Sequence, residues 1–237
     1  MGALPLYNDL ALLCRDSHQS LHFTDKADNY SFTENMTSVP VTGVEFFQAG
    51  KEFPVLFIKN DKGNFFPVAL LSLDQERNQQ IGMEGSWQGQ YVPAFIRRYP
   101  FALSDCGQVC FDRQAPHFIK EKGSRLFDDK GENTEALDSI IQFLIGYDQE
   151  YEKTGRYCKV LEEKNMLVPY QASIMLDNAP SLKLEGFYIL DEVKFKQLKE
   201  KDVVDWFQSE WLFWSYSHLN SLQAFESLAK SCPTREL

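Results

Sequence analysis

From Val41 to Asp112 the apolar residues come in short runs divided by Gly, Pro, Asn and Asp, the spacing of strands joined by tight turns. Phe53–Ile58 reads as one strand, Asp61–Asn64 as its turn and Phe65–Leu73 as the returning strand of a hairpin. Pro54 and Pro67 are expected at strand starts or edges, where a missing N–H is tolerated. Ile81–Trp87 is rich in glycine turns, Pro93 opens a short helix carrying Ala94–Arg98, and Val109–Asp112 is a further strand. The first 40 or so residues mix short apolar runs with polar turns and read as an extended lead-in packed on the body.

After Asp112 the period changes. Leu126–Glu135 is a turn leading into a helix that Asn133 or Thr134 can cap, with Glu135 at the positive end of its dipole. Ile140, Phe143, Leu144, Tyr147 and Tyr151 recur at helical spacing, and a second helix is expected over Val160–Leu167. Strand character returns at Ser173–Leu176 and Leu184–Leu190, around a polar turn at Asn178–Ser181. Asp191 then caps a helix beginning near Glu192. A last long helix is expected from about Asp202 to Ala229, with Phe207, Trp211, Trp214 and His218 sharing one face. The sum is an α+β fold: a mainly antiparallel sheet from residues 41–112 and 173–190, packed by helices, in one domain spanning 1–237.

The 237 residues are 43% hydrophobic and 14% aromatic, enough for a substantial core. A net charge of −10 argues against nucleic acid as a partner and against adsorption to anionic lipid. No apolar run approaches the roughly 18 residues of a membrane span. The segment Met1–His18 lacks a basic region and is interrupted by Asp9, unlike a secretory signal, and Leu6 stands where myristoylation needs Ser or Thr. Five scattered cysteines do not form a disulfide framework and point to a reducing, cytoplasmic setting.

Several chemistries fail on spacing. His18 and His22 are four apart but lack the glutamate of a zinc helix, and Cys106 and Cys110 have no second pair. Lys130 occupies a ligand position of what would otherwise resemble a calcium loop at Asp128–Glu135. Gly82, Gly85 and Gly89 are too widely spread for a phosphate-binding loop, and no GxSxG elbow occurs. Nothing in the sequence calls for a metal or cofactor. Two features remain. His218 is the best acid–base candidate, its ordinary alternative being a hydrogen-bonded core histidine. Arg97 and Arg98, set among rings and prolines, are either an internal ion pair, the more ordinary reading, or a site for an anion.

Four segments, Trp87–Phe101 (containing YVPAFIRRYPF), Leu126–Leu137 (LFDDKGENTEAL), Leu184–Leu198 (LEGFYILDEVKFKQL) and Ser217–Leu222 (SHLNSL), resemble the SapC family of bacterial proteins in order and spacing. The permease that shares this family's name is unrelated. The resemblance implies a protein associated with surface-layer loci and with halogenase-like proteins, cupin-like oxygenases and TonB-dependent receptors. It carries over no catalytic residue. It makes Trp87, Tyr91, Arg97, Arg98, Tyr99, Asp191 and His218 candidates for a shared ligand site. The expectation is an accessory protein that binds a partner protein or an anionic small ligand, Arg97 or Arg98 pairing the anion against a wall of Trp87 and Tyr91. The alternatives are an enzyme of the same pathway, with His218 as acid or base oriented by Asp191, and a homo-oligomer joined through Trp206, Trp211 and Trp214.

Overall fold

The computed structural model describes residues 6–24, 29–60, 62–73, 77–118, 123–176 and 179–230. The first half of the chain contains β1 (Leu10–Leu12), α1 (Arg15–His18), β2 (His22–Phe23), β3 (Ser38–Pro40), α2 (Phe46–Ala49), β4 (Val55–Lys59), β5 (Phe65–Leu70), α3 (Ala94–Arg97), β6 (Phe101–Leu103), β7 (Val109–Asp112) and β8 (Ser124–Arg125). The second half contains α4 (Glu135–Glu163), β9 (Leu167–Leu176), β10 (Ala179–Leu190), α5 (Glu192–Lys196), α6 (Glu200–Gln208), α7 (Trp211–Ser221) and α8 (Ala224–Lys230). This is an α+β fold with antiparallel sheets.

The main sheet has the order β3-β5-β4-β10-β9, so the early hairpin and the late one form one surface. Val55, Leu56 and Phe57 of β4 are all fully buried because both faces of the sheet are covered. Val55 and Phe57 join the core beneath α4 and α7, while Leu56 joins Val68, Leu70, Phe225 and Leu228 beneath α8. That two-sided burial explains why β4 reads as a continuous apolar run instead of an alternating one. A smaller sheet, β1-β7-β6, packs Phe101 and Phe111 against Leu126, Leu137 and Leu144. The lead-in is therefore part of the sheets: β1 pairs β7, β2 pairs β8 and β3 pairs β5.

Helix α4, about 44 Å long at 1.5 Å per residue, connects the two cores. Its N-terminal part supplies Leu137 and Leu144 to the small-sheet core, and from Tyr147 onward it supplies Tyr147, Tyr157, Cys158 and Leu161 to the main one. Thr134 caps it, its hydroxyl accepting from Leu137 N–H at 3.4 Å. The separate helix expected at Val160–Leu167 does not form: Val160 lies in the last turns of α4, and Asn165 at φ 50° turns the chain into β9. The returning strand of the early hairpin ends at Leu70. Pro67 stands inside β5, where Val41 N–H donates to its carbonyl at 3.2 Å, just past the end of β3. Its ring nitrogen thus faces the side where no strand requires a donor. Residues 61 and 178 of the expected turns lie outside the described residues, and Ser181 belongs to β10.

The long C-terminal helix is three helices. Glu210, in the left-handed region at φ 65°, breaks it between α6 and α7. The break rotates the two faces apart: Trp206 and Trp214 are buried, and Phe207, expected to share a face with Trp211, Trp214 and His218, is 75% exposed.

Candidate functional site

The segment Trp87–Phe101 is tied down at both ends by buried carboxylates. Near its start, Glu45 Oε1 accepts from Tyr91 Oη and from Ala94 N–H, both at 2.7 Å. Glu45 Oε2 accepts from Thr42 N–H at 2.8 Å and Thr42 Oγ1 at 2.9 Å. Near its end, Tyr99 Oη donates to Asp112 Oδ2 at 3.2 Å, and Asp112 also accepts the backbone N–H groups of Asn8, Asp9 and Gln114. Burial, and then the neighbouring carboxylate, pushes the phenols of Tyr91 and Tyr99 up. Trp87 donates its indole N–H to Tyr91 O at 3.1 Å and packs edge-on against Tyr30 and Phe53. Pro93 precedes α3, the Tyr99–Pro100 peptide is cis, and the chain enters β6.

Within this frame the two arginines diverge. Arg97 is exposed; its Nε donates to Val92 O at 2.9 Å and its guanidinium lies 5.3 Å from the Phe143 ring centre. Arg98 is half-buried, its guanidinium carbon 4.4 Å from the ring centre of Phe95, 4.9 Å from Tyr147 and 5.9 Å from Tyr7. The expected internal ion pair is not formed: among the described residues neither guanidinium lies within 4 Å of a carboxylate. Arg98 Nε is buried with no hydrogen-bond partner. The guanidinium holds its charge at every relevant pH; three rings lie against it, at about 0.5–2 kcal/mol each, and the Tyr7 hydroxyl oxygen is a further polar neighbour. Its field reaches Asp148, whose carboxyl burial raises and Arg98 lowers, and Tyr7, whose phenol burial pushes up to about 12 against the same cation. The rings that frame Arg98 are Tyr7, Phe95 and Tyr147; the wall expected from Trp87 and Tyr91 stands elsewhere, with Tyr91 near Arg97.

The structure does not bring the other candidates to this place. His218, on α7, has no exposed surface; its Nε2 accepts from Leu190 N–H at 3.1 Å and its ring lies 4.9 Å from Phe57. Its Nδ1 is buried without a hydrogen-bond partner, and burial pulls the imidazole down to about 4. Asp191 is the N-cap of α5, accepting from Val193 and Lys194 N–H at 3.1 Å. No hydrogen bond joins it to His218, so the two do not form an oriented acid–base pair. His18 Nδ1 accepts from Cys14 N–H and His22 Nδ1 is 3.0 Å from Ser20 O. Among the described residues no three His, Cys, Asp or Glu side chains are grouped to hold a metal, and no helix is long and apolar enough to cross a membrane.

Sequence reasoning missed Glu45 and Asp112, which anchor the segment, and Tyr7 and Tyr147, which cover Arg98. Thr42-x-x-Glu45 does carry a capping-box pattern that would have located Glu45 at a turn. Nothing local marks the other three. No curated protein and no solved structure matches the sequence. The SapC family model, in contrast, matches residues 13–228 of the 237, and the chain belongs to the SapC family.

Proposed function

We propose that this chain is an accessory protein that binds an anionic group, carried by a small ligand or by a partner protein, through Arg98. The observation that carries this reading is the half-buried guanidinium held by Tyr7, Phe95 and Tyr147 with Nε unpartnered and no carboxylate in contact among the described residues. Removing a charge from water is costly unless it is paired, and a carboxylate or phosphate oxygen would supply the missing acceptor. The net charge of −10 makes such a site local: long-range attraction of anions is not available to this protein.

Thermal unfolding with phosphate, sulfate or citrate, against chloride at equal ionic strength, tests the reading. An anion held by Arg98 at 100 times its Kd should raise Tm by roughly 5–10 °C. Arg98→Ala should lose that increase while unfolding cooperatively, at a cost of about 1–2 kcal/mol from the lost ring contacts. Arg98→Lys keeps the charge but not the planar fork and should recover only part of the response. A wild-type protein indifferent to all three anions, with an Arg98→Ala variant that fails to fold, would make Arg98 a packing element.

A further inference from the structure

A second place in the molecule has the form of a binding site. Between the β4–β5 hairpin and the C-terminal half of α4 lies a groove of 460 Å³. Its lining is part apolar and part polar: Phe66 and Tyr151 meet edge to face at 6.1 Å with Pro67 beside them, and Asn60, Asn64 and Thr154 supply polar surface. Its floor includes Cys158, a thiol that burial pushes up to about 12 and therefore keeps neutral. Its rim carries two cations, Lys62 from the hairpin turn and Lys159 from α4, with Glu162 as the acidic member. Lys62 enters no ion pair among the described residues, and Lys159 reaches Glu163 only at 3.9 Å with both side chains largely exposed. The turn that holds Lys62 is ordered by Asn60, whose Oδ1 accepts from Lys62 and Asn64 N–H at 3.0 Å.

Two details of the fold keep the groove open. Strand β3 ends at Pro40, opposite Val68, and beyond the Val41 N–H bond to Pro67 the Phe65–Phe66 part of β5 has no neighbouring strand on that side. Backbone alternation points the Phe65 N–H and C=O toward this uncovered edge, on the side to which Pro67 offers its carbonyl. Across the groove stands Gly155, in the interior of a 29-residue helix, where glycine is among the least favourable residues. A Cβ placed there would meet nothing within 4 Å. Packing within the protein therefore gives no reason for the glycine, and the space above it belongs to the groove.

We infer that this groove is a binding site for a small amphipathic anion, with the apolar body against Phe66, Pro67 and Tyr151 and the anionic head between Lys62 and Lys159. The inference does not rest on the reading of Arg98, although the two places adjoin: Tyr151 stacks on Tyr147 at 6.3 Å, and Arg98 opposes the rise that burial gives the Tyr151 phenol. Isothermal titration with decanoate, and with decanol as its neutral counterpart, tests the inference on the full-length protein. Wild type should bind decanoate saturably, one molecule per chain, and decanol at least tenfold more weakly. Gly155→Leu, filling the groove from an exposed helix position, should abolish binding with far-UV circular dichroism and Tm retained. The charge reversal Lys62→Glu with Lys159→Glu, at two exposed positions, should weaken decanoate at least tenfold and bring it level with decanol. Arg98→Ala, which loses the inorganic-anion response, should still bind decanoate saturably at one molecule per chain, separating this site from the one proposed above. Absence of saturable binding to wild type, equal affinity of a folded Gly155→Leu variant, or equal binding of decanoate and decanol to wild type would each overturn the inference.

Discussion

His218 shows how a single residue can look catalytic in a sequence and be a core element in the fold. Its Nε2 is engaged by the Leu190 N–H, its ring lies against Phe57, and burial holds it neutral down to about pH 4. The unfolded chain protonates near 6.5, so between that value and 4 the unfolded state binds more protons and stability falls as pH falls. The stability is fully present above pH 6.5. A depression from 6.5 to about 4 corresponds to about 3 kcal/mol lost across the window. His117, likewise lowered to about 4 by burial, contributes in the same direction. Denaturant titrations of wild type and His218→Gln from pH 7 to 4 check this. The glutamine carbonyl can accept from Leu190, and the variant should lose about half of the pH slope while keeping the part due to His117. An unchanged slope would mean that His218 is not the titrating group.

At the scale of elements, the approach of the Gly43–Glu45 turn to α7 depends on one absent side chain. A Cβ on Gly43 would lie 2.2 Å from the ring of Trp214, which is buried and has no room to withdraw. The same residue donates its N–H to Thr154 Oγ1 at 2.8 Å, joining the turn to α4. Gly43→Ala should therefore destabilise by about 3 kcal/mol through overpacking, measured by urea unfolding. Because Glu45 sits on this turn and holds Tyr91 and Ala94, the variant should also weaken any anion response at Arg98. Elements with their own end signals were legible in the sequence: the Pro93 helix, the Val109–Asp112 strand, the Thr134 and Asp191 caps and the hairpin turn at Asn64. The unbroken α4 and the broken C-terminal helix were not. Gly146 and Gly155 suggest interruption in α4 but meet no clash there, while Glu210 carries no mark of its left-handed backbone.

At the scale of the whole molecule, tertiary packing exchanged the expected interface residues. Trp206 and Trp214 are inside the fold, and the exposed aromatics of α6 and α7 are Phe207, Phe213 and Tyr216, with Phe47 of α2 5.5 Å from Phe213. Copies carrying −10 each repel, so self-association through these rings should strengthen as salt rises, opposite to an interface made of ion pairs. Light scattering at low and high salt, for wild type and for Phe207→Ser with Phe213→Ser, checks it: association with salt should be lost in the double variant. A monomer at every salt concentration would remove self-association as the role of this surface. Fold class, hairpins, caps and family are readable along the chain, because period, turn chemistry and motif order are local properties. That Arg98 is ringed by Tyr7, Phe95 and Tyr147 instead of paired, that His218 is sealed and that Gly155 faces open space is set by the packing of the folded chain. Each of those depends on which distant segments meet, and charge, burial and free volume at a residue are set by that meeting.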